Sequence, residues 1–125
     1  MKRVSKEDYY LNIAREVSTR SPCLKLQVGA IIVKDDCIVS TGYNGPPRGE
    51  PHCDVCTRLD IPDGESYGKE CPAVHAEENA IINAARYGIS INDSVMYLYT
   101  GIGLEPCYRC KRAIINSGIS DVYYV

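Results

Sequence analysis

A chain of 125 residues is enough for one domain around one core and too short for two of ordinary size. At 45% hydrophobic and 24% charged residues it has the balance of a folded, water-compatible domain, and it holds no apolar run near the ~20 residues that span a bilayer. A formal net charge of −2 gives no overall positive field for DNA or RNA, so a small-molecule substrate is expected, with neither membrane nor nucleic acid as partner.

The opening Met1-Lys2-Arg3-Val4-Ser5-Lys6 leads into charged residues and lacks the apolar stretch of a signal peptide, so a cytoplasmic location is expected. Ser5 with Asp8 three residues on resembles a capping box, and Tyr9, Ile13, Ala14 and Val17 recur at helical spacing, which predicts a helix to about Thr19. Val28 to Val33 and Cys37 to Gly42 read as antiparallel strands about an Asp35-Asp36 turn. From Asn44 to Val74 periodicity disappears, and so long a loop in a compact domain signals function or a metal clip that holds it. A second helix is expected from His75 to about Tyr87, with Ala80, Ile81, Ala84 and Ala85 inward and Gly88 as its stop. Val95 to Tyr99 reads as a strand. Cys107 to Ser117 reads as a helix with Ala113, Ile114 and Ile115 inward, closed by Gly118, and Asp121 to Val125 as a last strand. The order α-β-β-α-β-α-β makes the last two strands parallel through a right-handed crossover, in a mixed sheet with helices on both faces.

Seven cysteines are too many to pass over, and an odd number in a chain with no mark of secretion points to metal rather than disulfides. Cys37 stands alone in an apolar run and reads as an ordinary buried thiol. His75-Ala76-Glu77 and Pro106-Cys107-Tyr108-Arg109-Cys110 together offer one imidazole, two thiolates and an uncoordinated carboxylate. Three protein ligands leave one position of a tetrahedral zinc open to water, the layout of a catalytic site, and H-x-E with P-C-x-x-C is the general zinc-deaminase pattern. A lone Cys-x-x-Cys would suit a structural zinc, but here no obvious fourth protein ligand completes the set. Cys107 and Cys110 lie three apart at a helix start, where the helix dipole favours thiolates, and His75 opens the other helix. Glu77, two residues on, is placed to carry a proton between a zinc-activated water and a substrate ring.

Along nearly all its length the chain resembles the deoxycytidylate (dCMP) deaminases of the cytidine deaminase superfamily. The segments that carry this are Arg20-Ser21-Pro22-Cys23, Gln27-Val28-Gly29-Ala30, Gly42-Tyr43-Asn44-Gly45-Pro46-Pro47-Arg48-Gly49, His75-Ala76-Glu77-Glu78-Asn79-Ala80-Ile81 and the Pro106 to Cys110 run. The resemblance implies an α/β fold, the three-layer α/β/α cytidine deaminase-like sandwich with a mixed sheet of at least four strands, over one zinc-dependent deaminase domain spanning 1–125. It implies a hydrolase of pyrimidine nucleotide metabolism that converts dCMP and water to dUMP and ammonia. His75, Cys107 and Cys110 would then hold the catalytic zinc, with Glu77 as proton shuttle, Asn44 and the Ala76 amide against substrate, and Ser21 and Lys25 near the 5′-phosphate. A Tyr-Asn-Gly turn would also place Asn44 for its backbone alone, and Lys25 would be at home as a solvated lysine. A second, structural zinc on Cys23, Cys53, Cys56 and Cys71 is implied in the same way, with His52 as a substitute ligand. Homo-oligomers, hexamers among them, occur in the family, while regulation by dCTP and dTTP is left open by the sequence. Two departures from the family pattern stand out. The Tyr123-Tyr124-Val125 end falls where relatives continue, leaving a sheet edge for another subunit to cover, and Thr100-Gly101-Ile102-Gly103 reads as an insertion at the pocket rim. The rival readings are a deaminase of another base or nucleotide, and a non-catalytic, zinc-stabilised binding protein.

Overall fold

The computed structural model describes residues 1–62 and 71–125, so the stretch 63–70 of the long loop lies outside the described residues. Its elements run α1 (Lys6–Ser18), β1 (Gly29–Lys34), β2 (Cys37–Tyr43), α2 (Ala76–Arg86), β3 (Ser94–Tyr99), α3 (Tyr108–Asn116) and β4 (Ile119–Tyr124). The sheet order is β2-β1-β3-β4, antiparallel except for the β3–β4 pair, which is parallel as the crossover through α3 requires. β1 alternates between two cores. Ala30 and Ile32 join Met96 and Leu98 under α2 and Ile114 of α3, while Ile31 and Val33 join Tyr10 and Ala14 of α1 on the other face. The result is the α/β/α three-layer mixed sheet expected from the sequence.

Ser5 caps α1 by accepting from the Asp8 amide at 3.1 Å. The buried stripe of α1 is Tyr10, Ala14 and Ser18, with Ile13 and Val17 half-buried beside it and Tyr9 outside it. Tyr10 is 5% exposed whereas Tyr9 is 48% exposed, because Tyr10 shares a face with Ala14 and Ser18 and its hydroxyl donates to Asp36 Oδ1 at 2.6 Å. Asp35 and Asp36, both at positive φ, form the two-residue turn of the β1–β2 hairpin, and Lys6 pairs with Asp36 from above. The hydrogen bond to Asp36, then burial, pushes the Tyr10 hydroxyl up to about 12, so this tie between helix and hairpin outlasts ordinary alkaline conditions. In α3 only Ile114 of the expected apolar trio is buried; Ala113 and Ile115 face solvent, since a helix of nine residues set beside the edge strand has one narrow inward line. Ala85 of α2 is likewise exposed, and Cys37 at the hairpin is exposed rather than buried.

Two glycines set how closely helices approach the sheet. A Cβ on Gly29 would stand 2.1 Å from the Ala14 carbonyl oxygen of α1, and one on Gly42 would stand 2.3 Å from the Ala80 nitrogen of α2. α2 therefore rests on the backbone of β2. Polar staples hold it there: Ser40 Oγ donates to the Ala80 carbonyl at 2.6 Å, Asn79 Nδ2 to Tyr43 O at 2.8 Å and Asn83 Nδ2 to Thr41 O at 2.7 Å. The Gly45–Val74 bridge closes the base of the long loop and delivers the chain to His75. Gly42→Ala is expected to lift α2 and cost about 1–3 kcal/mol, as overpacking does. The measurement is a lower urea midpoint at unchanged m-value; an unshifted midpoint would show that the helix can move freely.

Candidate metal and nucleotide site

The N-termini of α2 and α3 converge. His75 is the N-cap of α2 and Cys107 the N-cap of α3, both in extended backbone, so each side chain leaves its helix at the end where main-chain amides lack partners. Cys110 follows in the first turn of α3 and is buried. His75 Nδ1 lies 3.3 Å from Cys110 Sγ and 3.6 Å from Cys107 Sγ. Zn–N and Zn–S bonds of about 2.0 and 2.3 Å at a tetrahedral angle put nitrogen and sulfur roughly 3.5 Å apart, so both nitrogen–sulfur separations already suit a tetrahedral zinc. Among the described residues this is the one group of three such side chains whose ligand atoms all lie within 4.8 Å of one another.

Electrostatics favour a cation at the same point. Burial, then the nearby Glu77 and Cys107, push the Cys110 thiol far above its usual value. His75, Cys107 and Cys110 would hold a dication here, whose charge would offset that repulsion and favour the thiolate forms. Burial holds His75 below its ordinary value, in the neutral form that ligates metal. Glu77 is 5% exposed, and burial drives its carboxyl upward against hydrogen bonds with its own main chain and Cys110. A carboxyl raised in this way exchanges protons more readily near neutral pH than an exposed one.

A cavity opens onto His75 and Cys107. Ala76, Glu77 and Asn44 form its polar end with them, Leu26, Val28 and Leu98 its apolar wall, and Thr100, Leu104 and Glu105 its rim. Of the segment read as an insertion, Thr100 lines the cavity, and Leu104 and Glu105 follow that segment directly. Thr100 Oγ1 accepts from the Ile102 and Leu104 amides, at 3.3 and 3.0 Å, and so turns Leu104 and Glu105 toward the cavity. Asn44 is held on both sides of its amide: Oδ1 accepts from the Val28 nitrogen at 2.9 Å and Nδ2 donates to the Leu26 carbonyl at 2.8 Å. One Nδ2 hydrogen and one Oδ1 lone pair are left for a ligand. Ala76 is the first helical residue, and its amide belongs to the unpaired set at the helix start.

The other predicted residues lie nearby but apart from this cavity. Ser21 donates to the Asn44 carbonyl at 2.8 Å and accepts from the Cys23 nitrogen. Lys25 Nζ donates to the Arg58 carbonyl at 2.8 Å and also to that of Ile61. Cys23, Cys53, Cys56 and Cys71 line one cavity, which meets the first across Leu26 and Asn44. They are near enough that, after burial, Cys71, Cys53 and Cys56 all help raise the Cys23 thiol, while Ser21 lowers it. Their sulfurs are less tightly gathered than the His75 group. His52 is exposed and lines a different cavity from the four cysteines.

Glu78 was missed at the sequence level. Its Oε1 accepts from the His75 nitrogen at 3.1 Å and from Arg109 Nη2 at 3.0 Å. Its position three residues after an N-cap is the signal that could have found it, the same spacing that marks Ser5 and Asp8.

Comparison with known proteins agrees with this geometry. The profile of the "Cytidine and deoxycytidylate deaminase zinc-binding region" matches residues 4–125. The chain is similar to the deoxycytidylate deaminase of Mycobacterium phage D29, 37% identical with 99% of this chain and 97% of the relative covered. It is also similar to the deoxycytidylate deaminase of Schizosaccharomyces pombe, 36% identical over 98% of this chain but only 37% of that longer protein. The crystal structure of the dCMP deaminase of cyanophage S-TIM5 in complex with dCMP and dUMP superposes with a TM-score of 0.79 at 28% identity, covering 99% of this chain and 83% of that one. The chain belongs to the cytidine and deoxycytidylate deaminases, and its His75, Cys107 and Cys110 cluster falls within their zinc-binding region.

Proposed function

We infer that this protein hydrolyses dCMP to dUMP and ammonia, with zinc held by His75, Cys107 and Cys110 and with Glu77 as the proton carrier. The observation that supports it most is the meeting of one imidazole nitrogen and two sulfurs at tetrahedral spacing beside a buried carboxylate, at the polar end of a cavity. When bound, zinc supplies a water acidic enough to act as a nucleophile near neutral pH. Glu77 takes the proton of the attacking water and delivers it to N3 of the ring as oxygen adds to C4. It then takes the proton of the new C4 hydroxyl and passes it to the exocyclic nitrogen, the C4–N bond breaks as the C4 carbonyl forms, and ammonia leaves. The Ala76 amide donates to the pyrimidine carbonyl, and Val28, Leu26 and Leu98 provide an apolar slot for the ring and exclude water from it. Asn44 uses its remaining donor and acceptor on the sugar.

The phosphate belongs, on this reading, at the Ser21 and Lys25 end, which adjoins Asn44. Lys25 would turn from the Arg58 and Ile61 carbonyls to the anion, gaining a partner of opposite charge in place of neutral acceptors. The second, structural zinc takes Cys23, Cys53, Cys56 and Cys71, whose shared cavity and mutual electrostatic influence support it. Four thiolates would close its shell and pin the long loop. A homo-oligomer is part of the same reading, supported by the edge position of β4 and the exposed Tyr123 and Tyr124. Cytoplasmic residence is part of the same reading, supported by an odd number of cysteines assigned to metal rather than to disulfides, since a reducing compartment preserves thiolate ligands.

Three outcomes follow. Glu77→Ala should lower the deamination rate by at least about a hundredfold, the scale of general acid–base catalysis, while keeping its zinc; a variant of normal rate would point to a binding protein. In a spectrophotometric panel, dCMP should far outrun deoxycytidine, and Lys25→Met should erase the difference by raising KM for dCMP alone. Preference for another base would reassign the substrate. Metal analysis should count two zinc ions per chain, falling to one in Cys71→Ser; one zinc in the wild type would remove the four-cysteine assignment.

A further inference from the structure

We propose that Glu78 and Arg109 form a strut that sets the spacing of the metal ligands, so that both are positioning residues for the zinc centre. The proposal rests on the zinc reading above and adds to it two residues that neither ligate metal nor line the substrate cavity.

The geometry is unusually direct. A single oxygen, Glu78 Oε1, accepts from the main-chain nitrogen of His75, itself a ligand residue, and from the guanidinium of Arg109, the residue between Tyr108 and Cys110 in the first turn of α3. The two ligand-bearing helices are thus joined through one atom, at the two points nearest the metal. His75 is fixed relative to α2 by the backbone bond, and α3 is fixed relative to His75 by the ion pair. Glu78 is one-quarter exposed and Arg109 over one-half, at 24% and 56%, so solvent screening leaves this pair little weight in global stability. Its effect falls on local geometry. No acidic residue stands in the first turn of α3, so Glu78 of the neighbouring helix supplies the negative partner there. Burial works against the Arg109 cation, while Glu78 and then the sulfurs of Cys107 and Cys110 hold it charged. The pair also cancels its own charge, so it ties the first turn of α3 to α2 without adding net charge beside the ligand residues.

Residues that orient metal ligands typically change affinity by about 10–100-fold when removed, which sets the size of the expected effect. The test is zinc competition between the full chain and a chromophoric chelator, with His75→Ala marking which release step belongs to this site. Glu78→Ala and Arg109→Ala should each weaken zinc at that step by roughly tenfold or more. Because both remove one link, the double variant should lose no more than the weaker-binding single variant. Glu78→Gln keeps an acceptor for the His75 amide and should recover part of the loss, and its circular dichroism should match the wild type. With cobalt(II) in place of zinc, Glu78→Ala should alter the ligand-field absorption bands, and in the zinc protein kcat for dCMP should fall at nearly constant KM. If the wild type shows no release step that His75→Ala removes, the zinc assignment fails and takes this proposal with it. If that step exists but the variants leave its affinity and the cobalt spectrum unchanged, or if the two single losses simply add, the strut alone is refuted.

Discussion

The seat of α2 on β2 governs everything downstream. Gly42 removes the side chain that would hold the helix off, and Ser40, Asn79 and Asn83 then tie helix to strand by side-chain bonds to main-chain carbonyls. Backbone-to-backbone packing leaves less freedom than a layer of side chains, because no rotamer can absorb a displacement. The N-terminus of α2 is therefore placed to within the tolerance of the sheet itself. That end carries the imidazole, the first free helix amide and the buried carboxylate in three consecutive residues, His75, Ala76 and Glu77.

α3 is brought to the same point by different means. The β3–α3–β4 crossover sets it on the same face of the sheet as α2, but only Cys110 and Ile114 anchor it inward. A short helix with so little buried surface gains most of its placement from its first turn. Cys107, Arg109 and Cys110 occupy that turn, each facing something on α2: the His75 ring for the sulfurs, the Glu78 carboxylate for the guanidinium. Precision on one helix is thereby lent to the other.

Much of this was legible in the amino-acid order because strong local signals agreed. Gly88 and Gly118, both at positive φ, end α2 and α3 where the sequence placed the stops, and the β1–β2 hairpin turns at Asp35-Asp36 as expected. The ligand triad was readable because its spacing is chemical rather than conformational. What stayed hidden depends on packing direction. Periodicity alone does not separate Tyr9 from Tyr10, which are neighbours on the helix; the hydrogen bond to Asp36, distant in sequence, decides it. Nor does an apolar run reveal that Ile115 faces solvent when its helix lies against one edge strand. The sequence left Lys25 between a phosphate contact and a solvated lysine, and did not show that it reaches across to carbonyls more than thirty residues away.

The placement of β3 between the two halves of the triad has a bearing on biosynthesis. His75 precedes that strand and Cys107 and Cys110 follow it, so imidazole and sulfurs meet only after the chain has passed through the centre of the sheet. A nascent chain cannot complete this His/Cys/Cys group until α3 is also made, whereas the four cysteines proposed for the second zinc all precede α3. The group at the two helix starts is thereby the later of the two to assemble, and an ion caught there reports that β3 and α3 have both been made.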